Sequence, residues 1–183
     1  AISVTHPARM RTWASLHGVG AWTGESFRAL ELGCGNGTNL LALADRFPDS
    51  SFVGVERDAA LLEAARTTAT RAGLANVTFV EAELAAYEPE GLFDYVIAHG
   101  LYSWLPPGDR DRLLAIASRA LESLGVAYVS YNTFPGWAVR GVVREMMADA
   151  ARGERSDAGK LRAAKARVAE IQRHLADSDH PYT

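Results

Sequence analysis

Three glycines lie within the segment ELGCGNG at residues 31–37, directly after the apolar run FRAL. Glycine adopts positive φ without a steric penalty and lets a ligand or another backbone approach closely. A glycine-rich segment between a strand and a helix is typical of open α/β sheets, which bind ligands beside the carboxyl ends of their strands. The segment therefore predicts a ligand-binding loop between a first strand and a first helix.

Short β-branched or aromatic runs alternate with helical patterns along the chain, which predicts a parallel sheet with crossover helices rather than a helical bundle. The predicted strands are Phe27 to Leu32, Ser51 to Glu56, Val77 to Glu83, Asp94 to Ala98 and Val126 to Asn132.

Helical patterns fill the intervals between these strands. The first helical pattern is TNLLALADRF, which ends before Pro48. The next helix begins after an N-cap at Asp58 and ends at Gly73. Its predicted apolar face is Leu61, Leu62 and Ala65. A third helix follows the turn PPGD and ends at Gly125. Its predicted buried residues are Leu113, Leu114, Ile116, Ala117, Ala120, Leu121 and Leu124.

Two further helical patterns follow the fifth strand, separated by the breaking segment ARGERSDAG. The first is marked by Val139, Val142, Val143, Met146 and Met147, and the second by Leu161, Ala164, Val168, Ile171 and Leu175. The last helix has a single apolar face, so we expect Leu161 to Leu175 to contact another region or a partner chain.

Composition narrows the choice of partners. The 183 residues are 48% hydrophobic and 22% charged with a net charge of -3, which describes a globular domain without an electrostatic basis for tight nucleic-acid binding. Cys34 is the single cysteine, and neither a disulfide within the chain nor a metal-ligand spacing is present. No apolar run approaches the roughly 18 residues that span a bilayer, and the first residues lack signal-peptide order. We expect a cytoplasmic protein that binds a small molecule or a protein, not a membrane.

The spacing of the glycine loop distinguishes between cofactors. A dinucleotide fingerprint starting at Gly33 would place its third glycine at Thr38, whereas Gly37 comes one position early, and a P-loop would need a lysine that is absent. What remains is acidic-x-G-x-G-x-G with a second acidic residue, Glu56, at the end of strand two, where a carboxylate accepts hydrogen bonds from ribose hydroxyls. Each feature alone also fits a tight turn or a solvated strand end, but together they favour a cofactor site.

This combination resembles the class I S-adenosylmethionine-dependent methyltransferases from Glu31 to about Asn132. The stretches THPARMRTWASLHG, AHGLYSWLP and VSYNTFPGWAVRGVVREMM are similar to bacterial methyltransferases that carry a methyltransferase regulatory domain, including rickettsial protein-lysine methyltransferases. The resemblance implies S-adenosylmethionine as cofactor, S-adenosylhomocysteine as product, and an α/β Rossmann-like parallel sheet of order 3-2-1-4-5 with helices on both faces and a C-terminal helical extension. We expect the N-terminal catalytic part of a longer protein, with residues 1–151 as the methyltransferase domain and 152–183 as the extension.

The resemblance also implies the site. Glu56 would meet the ribose, Glu83 the adenine edge, and Glu31 would orient the loop or meet the methionine ammonium. The expected cofactor-binding residues are Glu31, Gly33, Cys34, Gly35, Asn36, Gly37, Asn39, Glu56, Arg57, Glu83, Leu84 and His99. The expected catalytic residues are His99, Tyr102, Trp104, Tyr131 and Asn132.

We expect a cluster of aromatic residues around Asn132 at the ends of strands four and five. Its members are Tyr102, Trp104, Tyr131, Phe134 and Trp137. An aromatic channel suits an amine on a long aliphatic stem, because ring faces attract a cation and pack methylene groups. The same rings could instead anchor loops on the sheet. We predict methylation of an amine, with protein lysine as the acceptor. The alternatives are a small-molecule N- or O-methyltransferase and a cofactor-binding module without independent catalysis.

Overall fold

The computed structural model describes residues 2–20 and 24–176, without the side chains of Val139 and Leu175. The chain is divided into two compact units, Ala1–Tyr131 and Asn132–Thr183. This division falls earlier than the boundary at residue 151 that we predict from the sequence. The end of the predicted extension, beyond Ala176, lies outside the described residues.

The first unit contains a five-stranded parallel sheet of order β3-β2-β1-β4-β5, which confirms the predicted fold class and strand order. The strands are β1 Arg28–Leu32, β2 Ser51–Glu56, β3 Val77–Glu81, β4 Phe93–Ala98 and β5 Leu121–Val129. The helices of this unit are α1 Pro7–Leu16, α2 Thr38–Arg46, α3 Ala59–Arg71 and α4 Pro107–Ala120. Three 3₁₀ turns lie at Ser3–Thr5, Leu84–Ala86 and Tyr102–Trp104.

Helices cover both faces of the sheet. Ala29 belongs to the core formed with α1, α2 and α3, and its neighbour Leu30 belongs to the core formed with α4. Successive strand residues point to opposite faces, and both faces are covered, so the central strand β1 is buried from Ala29 to Leu32 and is apolar there except for Glu31. The arrangement brings the carboxyl ends of β1, β2 and β4 to one edge of the sheet.

The largest departure from the predicted elements lies between α4 and β5. We predict a helix that continues to Gly125, but α4 ends at Ala120 and β5 begins at the next residue. Leu121 pairs with Phe93 of β4, and the ladder resumes after an irregularity with Val126. The predicted end of this helix was wrong, because the backbone leaves the helix at Leu121 to pair with β4 despite the helical apolar spacing of the segment.

Smaller differences concern strand ends and helix faces. β3 ends at Glu81 rather than Glu83, and β5 ends at Val129 rather than Asn132. Leu61 and Leu114 are exposed rather than buried, because they lie one position outside the stripes that contain Leu62 and Leu113. Leu124 is also exposed.

Up to Ala176, the last residue that the structure describes, the second unit contains two helices, α5 Ala138–Ala151 and α6 Asp157–Ala176. They pack against each other, and Ala164 of α6 is buried. Leu161, the first residue of the predicted apolar stripe of α6, is exposed. The side chain of Leu175, which we assign to this stripe from the sequence, lies outside the described residues.

Candidate functional site

The glycine loop follows β1 and leads into α2, with Gly33, Gly35 and Gly37 all at positive φ of 72°, 55° and 72°. A Cβ atom at Gly33 would lie 2.9 Å from Leu101 Cδ2, and one at Gly37 would lie 2.8 Å from the Phe79 ring. A Cβ at Gly35 would meet nothing within 4 Å. Packing against the Phe79 ring therefore requires Gly37, whereas the flexible Leu101 side chain could move away from a Cβ at position 33, where the positive φ is what favours glycine. Gly35 borders open space that a ligand can enter.

Cys34 lies in the middle of this loop with its side chain turned inward and buried. A Cβ atom on Gly54 of β2 would lie 2.8 Å from Cys34 Sγ, so the glycine in the strand makes room for the thiol. Burial raises the pKa of Cys34 to about 12, and the carboxylates of Glu31 and Glu56 add to the effect. The thiol stays protonated and is no nucleophile. Sequence reasoning missed Gly54, although a glycine inside a strand often marks a close approach.

Glu56 is the last residue of β2 and lies beside the loop. Its Oε2 accepts a hydrogen bond from Gly35 N at 3.1 Å, and its Oε1 accepts from Arg57 N at 2.9 Å and Asp58 N at 3.2 Å. These three backbone donors fix the orientation of the carboxylate. A carboxylate offers about four acceptor positions, so Glu56 retains capacity for a further donor.

Glu31 is the acidic residue of the loop motif and is only 3% exposed. Its Oε1 accepts a hydrogen bond from Asn39 Nδ2 at 3.1 Å, and its Oε2 has no hydrogen-bond partner among the described residues. Burial raises the pKa of Glu31 to about 7, while the hydrogen bond from Asn39 acts in the opposite direction. A buried carboxyl oxygen without a partner is costly, which marks a position for a ligand.

The remaining predicted cofactor residues lie at the same edge and are more exposed. Asn36 Oδ1 accepts from Thr38 N at 3.3 Å and from Thr38 Oγ1 at 2.7 Å, so it caps the start of α2. Arg57 and Glu83 form an exposed ion pair at 3.9 Å. Leu84 begins the 3₁₀ turn after β3 and packs on the apolar core below it.

The ends of β4 and β5 form the other half of this edge. Gly100 N donates to Ser130 Oγ at 2.7 Å, which links the two strand ends. The ring centroids of His99 and Tyr128 are 5.9 Å apart, and those of Tyr102 and Tyr131 are 6.0 Å apart. The buried Nδ1 of His99 has no hydrogen-bond partner within the described part of the chain.

Of the predicted aromatic residues, Tyr102 and Tyr131 meet each other, and Trp104 lies in the same 3₁₀ turn as Tyr102 with 59% of its surface exposed. Arg110 extends its guanidinium carbon over the Tyr102 ring, 5.6 Å from the centroid.

The other aromatic candidates belong to the second unit. Phe134 is exposed, and the guanidinium of Arg140 lies 5.9 Å from the Trp137 ring centroid. Asn132 is the first residue of that unit. The proposed aromatic channel around Asn132 therefore stays a prediction.

Within residues 2–20 and 24–176, no helix combines the length and apolar character needed to cross a membrane. The same residues contain no group of three or more His, Cys, Asp or Glu side chains that could hold a metal ion.

A family model described as "Methyltransferase domain" matches residues 29–125. Two Rickettsia prowazekii proteins are similar to the chain: RP028 is 33% identical over 181 residues, covering 98% of this chain and 72% of that protein. RP789 is 37% identical over 146 residues, covering 79% of this chain but 26% of that protein. Among solved structures, PKMT2 from Rickettsia typhi in complex with AdoHcy matches 99% of this chain with a TM-score of 0.79 and 33% identity. The chain spans 35% of PKMT2.

Proposed function

The chain belongs to the family of S-adenosylmethionine-dependent methyltransferases, and on this basis we propose that it transfers a methyl group to an amine, with a lysine side chain of another protein as the acceptor. The observation that carries the cofactor part of the proposal is the pair of acidic residues beside the glycine loop. Glu31 supplies an unpartnered buried oxygen, and Glu56 supplies an oriented carboxylate with spare acceptor capacity.

These groups fit the polar ends of S-adenosylmethionine. Glu56 would accept a hydrogen bond from a ribose hydroxyl, and Glu31 would accept one from the ammonium group of the methionine part. Gly35 would allow close backbone approach, because its Cβ direction is open. Cys34 contributes a small buried side chain behind the loop rather than a direct contact. PKMT2, which is similar over nearly the whole chain, is solved with AdoHcy.

S-adenosylmethionine supplies a methyl group on a positively charged sulfur, so the protein mainly aligns the acceptor, excludes water and removes a proton. We assign alignment to the rings of Tyr102 and Tyr131, whose centroids are 6.0 Å apart beyond the ends of β4 and β5. Arg110 beside Tyr102 disfavours an ammonium ion at this place and so favours the neutral amine that can attack. His99, with its unpartnered Nδ1, would pass the acceptor proton toward water.

Two observations support lysine as the acceptor. The paired rings suit an aliphatic stem that carries an amine, and the chain is similar to PKMT2 over 99% of its length. The acceptor is tested with tritiated S-adenosylmethionine and three preparations: bacterial proteins with free lysines, the same proteins with acetylated lysines, and the metabolite fraction below protein size. The expected result is label on the first preparation and its loss after acetylation.

The Glu56→Ala variant is the negative control, since it should transfer no label to any preparation. Label confined to the metabolite fraction would overturn the lysine proposal and leave the methyltransferase assignment in place. Binding of S-adenosylhomocysteine by calorimetry without label in any fraction would indicate a cofactor-binding module that does not catalyse transfer by itself.

A further inference from the structure

The 3₁₀ turn Ser3–Thr5 contacts the cofactor half of the site, which is the part at the ends of β1 and β2 with the glycine loop. The contact is made through Asn39, the second residue of α2. Asn39 Oδ1 accepts hydrogen bonds from Ile2 N at 2.8 Å and from Thr5 Oγ1 at 3.1 Å. Its Nδ2 donates to Glu31 Oε1 at 3.1 Å. Thr5, Asn39 and Glu31 are 0%, 4% and 3% exposed, so water does not compete for these bonds. The three side chains form a buried chain of hydrogen bonds from the turn to the loop motif.

The direction of this chain follows from the chemistry of its members. A backbone N–H and a hydroxyl both point at one end of the Asn39 amide, so that end must be the oxygen. The amide nitrogen must then face Glu31, where it can only donate. One oxygen of Glu31 is thereby occupied by a fixed donor, and the other is left without a partner.

From this geometry we infer that Thr5 and Asn39 are positioning residues that hold the Glu31 carboxylate for the ammonium group of the methionine part of the cofactor. The inference rests on the proposed function, and it assigns Asn39 a role through Glu31 rather than a direct contact. Thr5 shares its hydroxyl proton between Asn39 Oδ1 and Ile2 O, the latter at 3.0 Å, so loss of the hydroxyl removes one of the two donors that orient the amide. The hydrogen bond from Asn39 also favours the charged form of Glu31 against the effect of burial.

A pair of ligands separates this role from a merely structural one. S-adenosylhomocysteine carries the ammonium group, whereas 5′-deoxy-5′-methylthioadenosine keeps the adenine, ribose and thioether but has no amino-acid part. Calorimetry of the chain with both ligands measures the contribution of the ammonium contact. For Thr5→Val we expect S-adenosylhomocysteine affinity to fall roughly tenfold, the scale seen when a group that orients a ligand-binding side chain is lost. The affinity for methylthioadenosine should stay within about twofold of the wild-type value, since the ribose and adenine contacts remain.

Matched variants sharpen the test. Thr5→Ser keeps the hydroxyl and should restore S-adenosylhomocysteine affinity. Thr12→Val makes the same chemical change at an exposed position of α1, where Thr12 Oγ1 donates only to Ala8 O at 2.8 Å, and should bind both ligands as the wild type does. Asn39→Leu should reproduce the selective loss with a larger effect. Retained methylthioadenosine binding shows in each case that the variant has folded around the site.

The inference is overturned if Thr5→Val weakens both ligands equally, which would indicate a structural role, or if it weakens neither. It is also overturned if Glu31→Gln leaves S-adenosylhomocysteine affinity unchanged. If the wild-type chain binds neither ligand, the proposed function fails as well. That result is distinct from failure of the variants, because it appears before any substitution is made.

Discussion

The two halves of the candidate site differ in the burial and the hydrogen bonding of their functional groups. At the ends of β1 and β2, Glu31 is 3% exposed and held by a side-chain amide, and Glu56 is oriented by three backbone donors. At the ends of β4 and β5, Trp104 and Tyr131 are 59% and 63% exposed. The cofactor half, at the ends of β1 and β2, holds its carboxylates by hydrogen bonds, whereas the acceptor half, at the ends of β4 and β5, presents exposed ring surface. Such a difference suits a common cofactor combined with a large and variable acceptor.

The largest effect is expected in the cofactor half. Glu56→Ala should weaken S-adenosylhomocysteine binding by about 3 kcal/mol, because it removes a charge-assisted hydrogen bond to the ribose, worth about 1.5 to 3 kcal/mol, together with the acceptor that holds Gly35 N of the loop. Calorimetry measures the change, with the exposed Glu63→Ala of α3 as the control. Unchanged affinity would refute the assignment of Glu56, and preferential binding of a nicotinamide cofactor would refute the cofactor itself.

The buried carboxyl of Glu31 should make the cofactor-free protein pH-sensitive. Its pKa rises from 4.5 to about 7 on folding through burial, so the folded state favours the protonated form. The contribution of Glu31 to the free energy of unfolding should therefore be fully present below about pH 4.5. It should be lost as the pH rises through about 7. The total change is on the order of 3 kcal/mol.

Denaturant unfolding at pH 5 and pH 8 measures this dependence, and Glu31→Gln should remove most of it. S-adenosylhomocysteine should show the opposite trend, binding more tightly as the pH rises through about 7, because its ammonium needs the ionised carboxylate. Equal pH dependence in the wild type and in Glu31→Gln would show that another group is responsible.

Two glycines of the loop should separate packing from ligand access. Gly37→Ala places a Cβ atom 2.8 Å from the Phe79 ring at positive φ, whereas Gly35→Ala pays only for the positive φ. We expect Gly37→Ala to unfold about 2 kcal/mol more easily than Gly35→Ala, the typical cost of overpacking. For S-adenosylhomocysteine affinity we expect the opposite order, with a larger loss in Gly35→Ala than in Gly37→Ala. Thermal unfolding and calorimetry on both variants check the pair, and the reverse ranking of stability would contradict the packing assignment.

The smallest effect is expected in the acceptor half. Tyr131→Ala should lower methyl transfer to proteins roughly tenfold while S-adenosylhomocysteine affinity changes little, because the lost ring aligns the acceptor and not the cofactor. Trp13→Ala, an exposed aromatic of α1, is the matched control. A parallel loss of cofactor affinity in Tyr131→Ala would place the ring in the cofactor half.

Much of the cofactor half follows from local sequence. The spacing of Gly33, Gly35 and Gly37 marks the turn, and the predicted bounds of β2, Ser51 to Glu56, agree with the structure. Parallel strands bring their carboxyl ends to one edge, so placing Glu56 at the end of its strand also places it beside the loop. In contrast, α1 carries no strong apolar periodicity, with only Pro7 and Met10 buried, and the sequence did not predict it.

By itself, then, the sequence determined the alternation of strands and helices, the glycine loop and the acidic residues near it, because these depend on residue type and on spacings within a few residues. The strand order was predicted from the resemblance to known methyltransferases. Only the tertiary structure decided that Gly54 makes room for Cys34, that β5 begins at Leu121, and that Thr5 reaches Glu31 through Asn39. Each of these depends on contacts between segments far apart in the chain. A pairing with β4 can override the helical spacing of a segment, and a buried amide takes its orientation from a donor that no local pattern identifies.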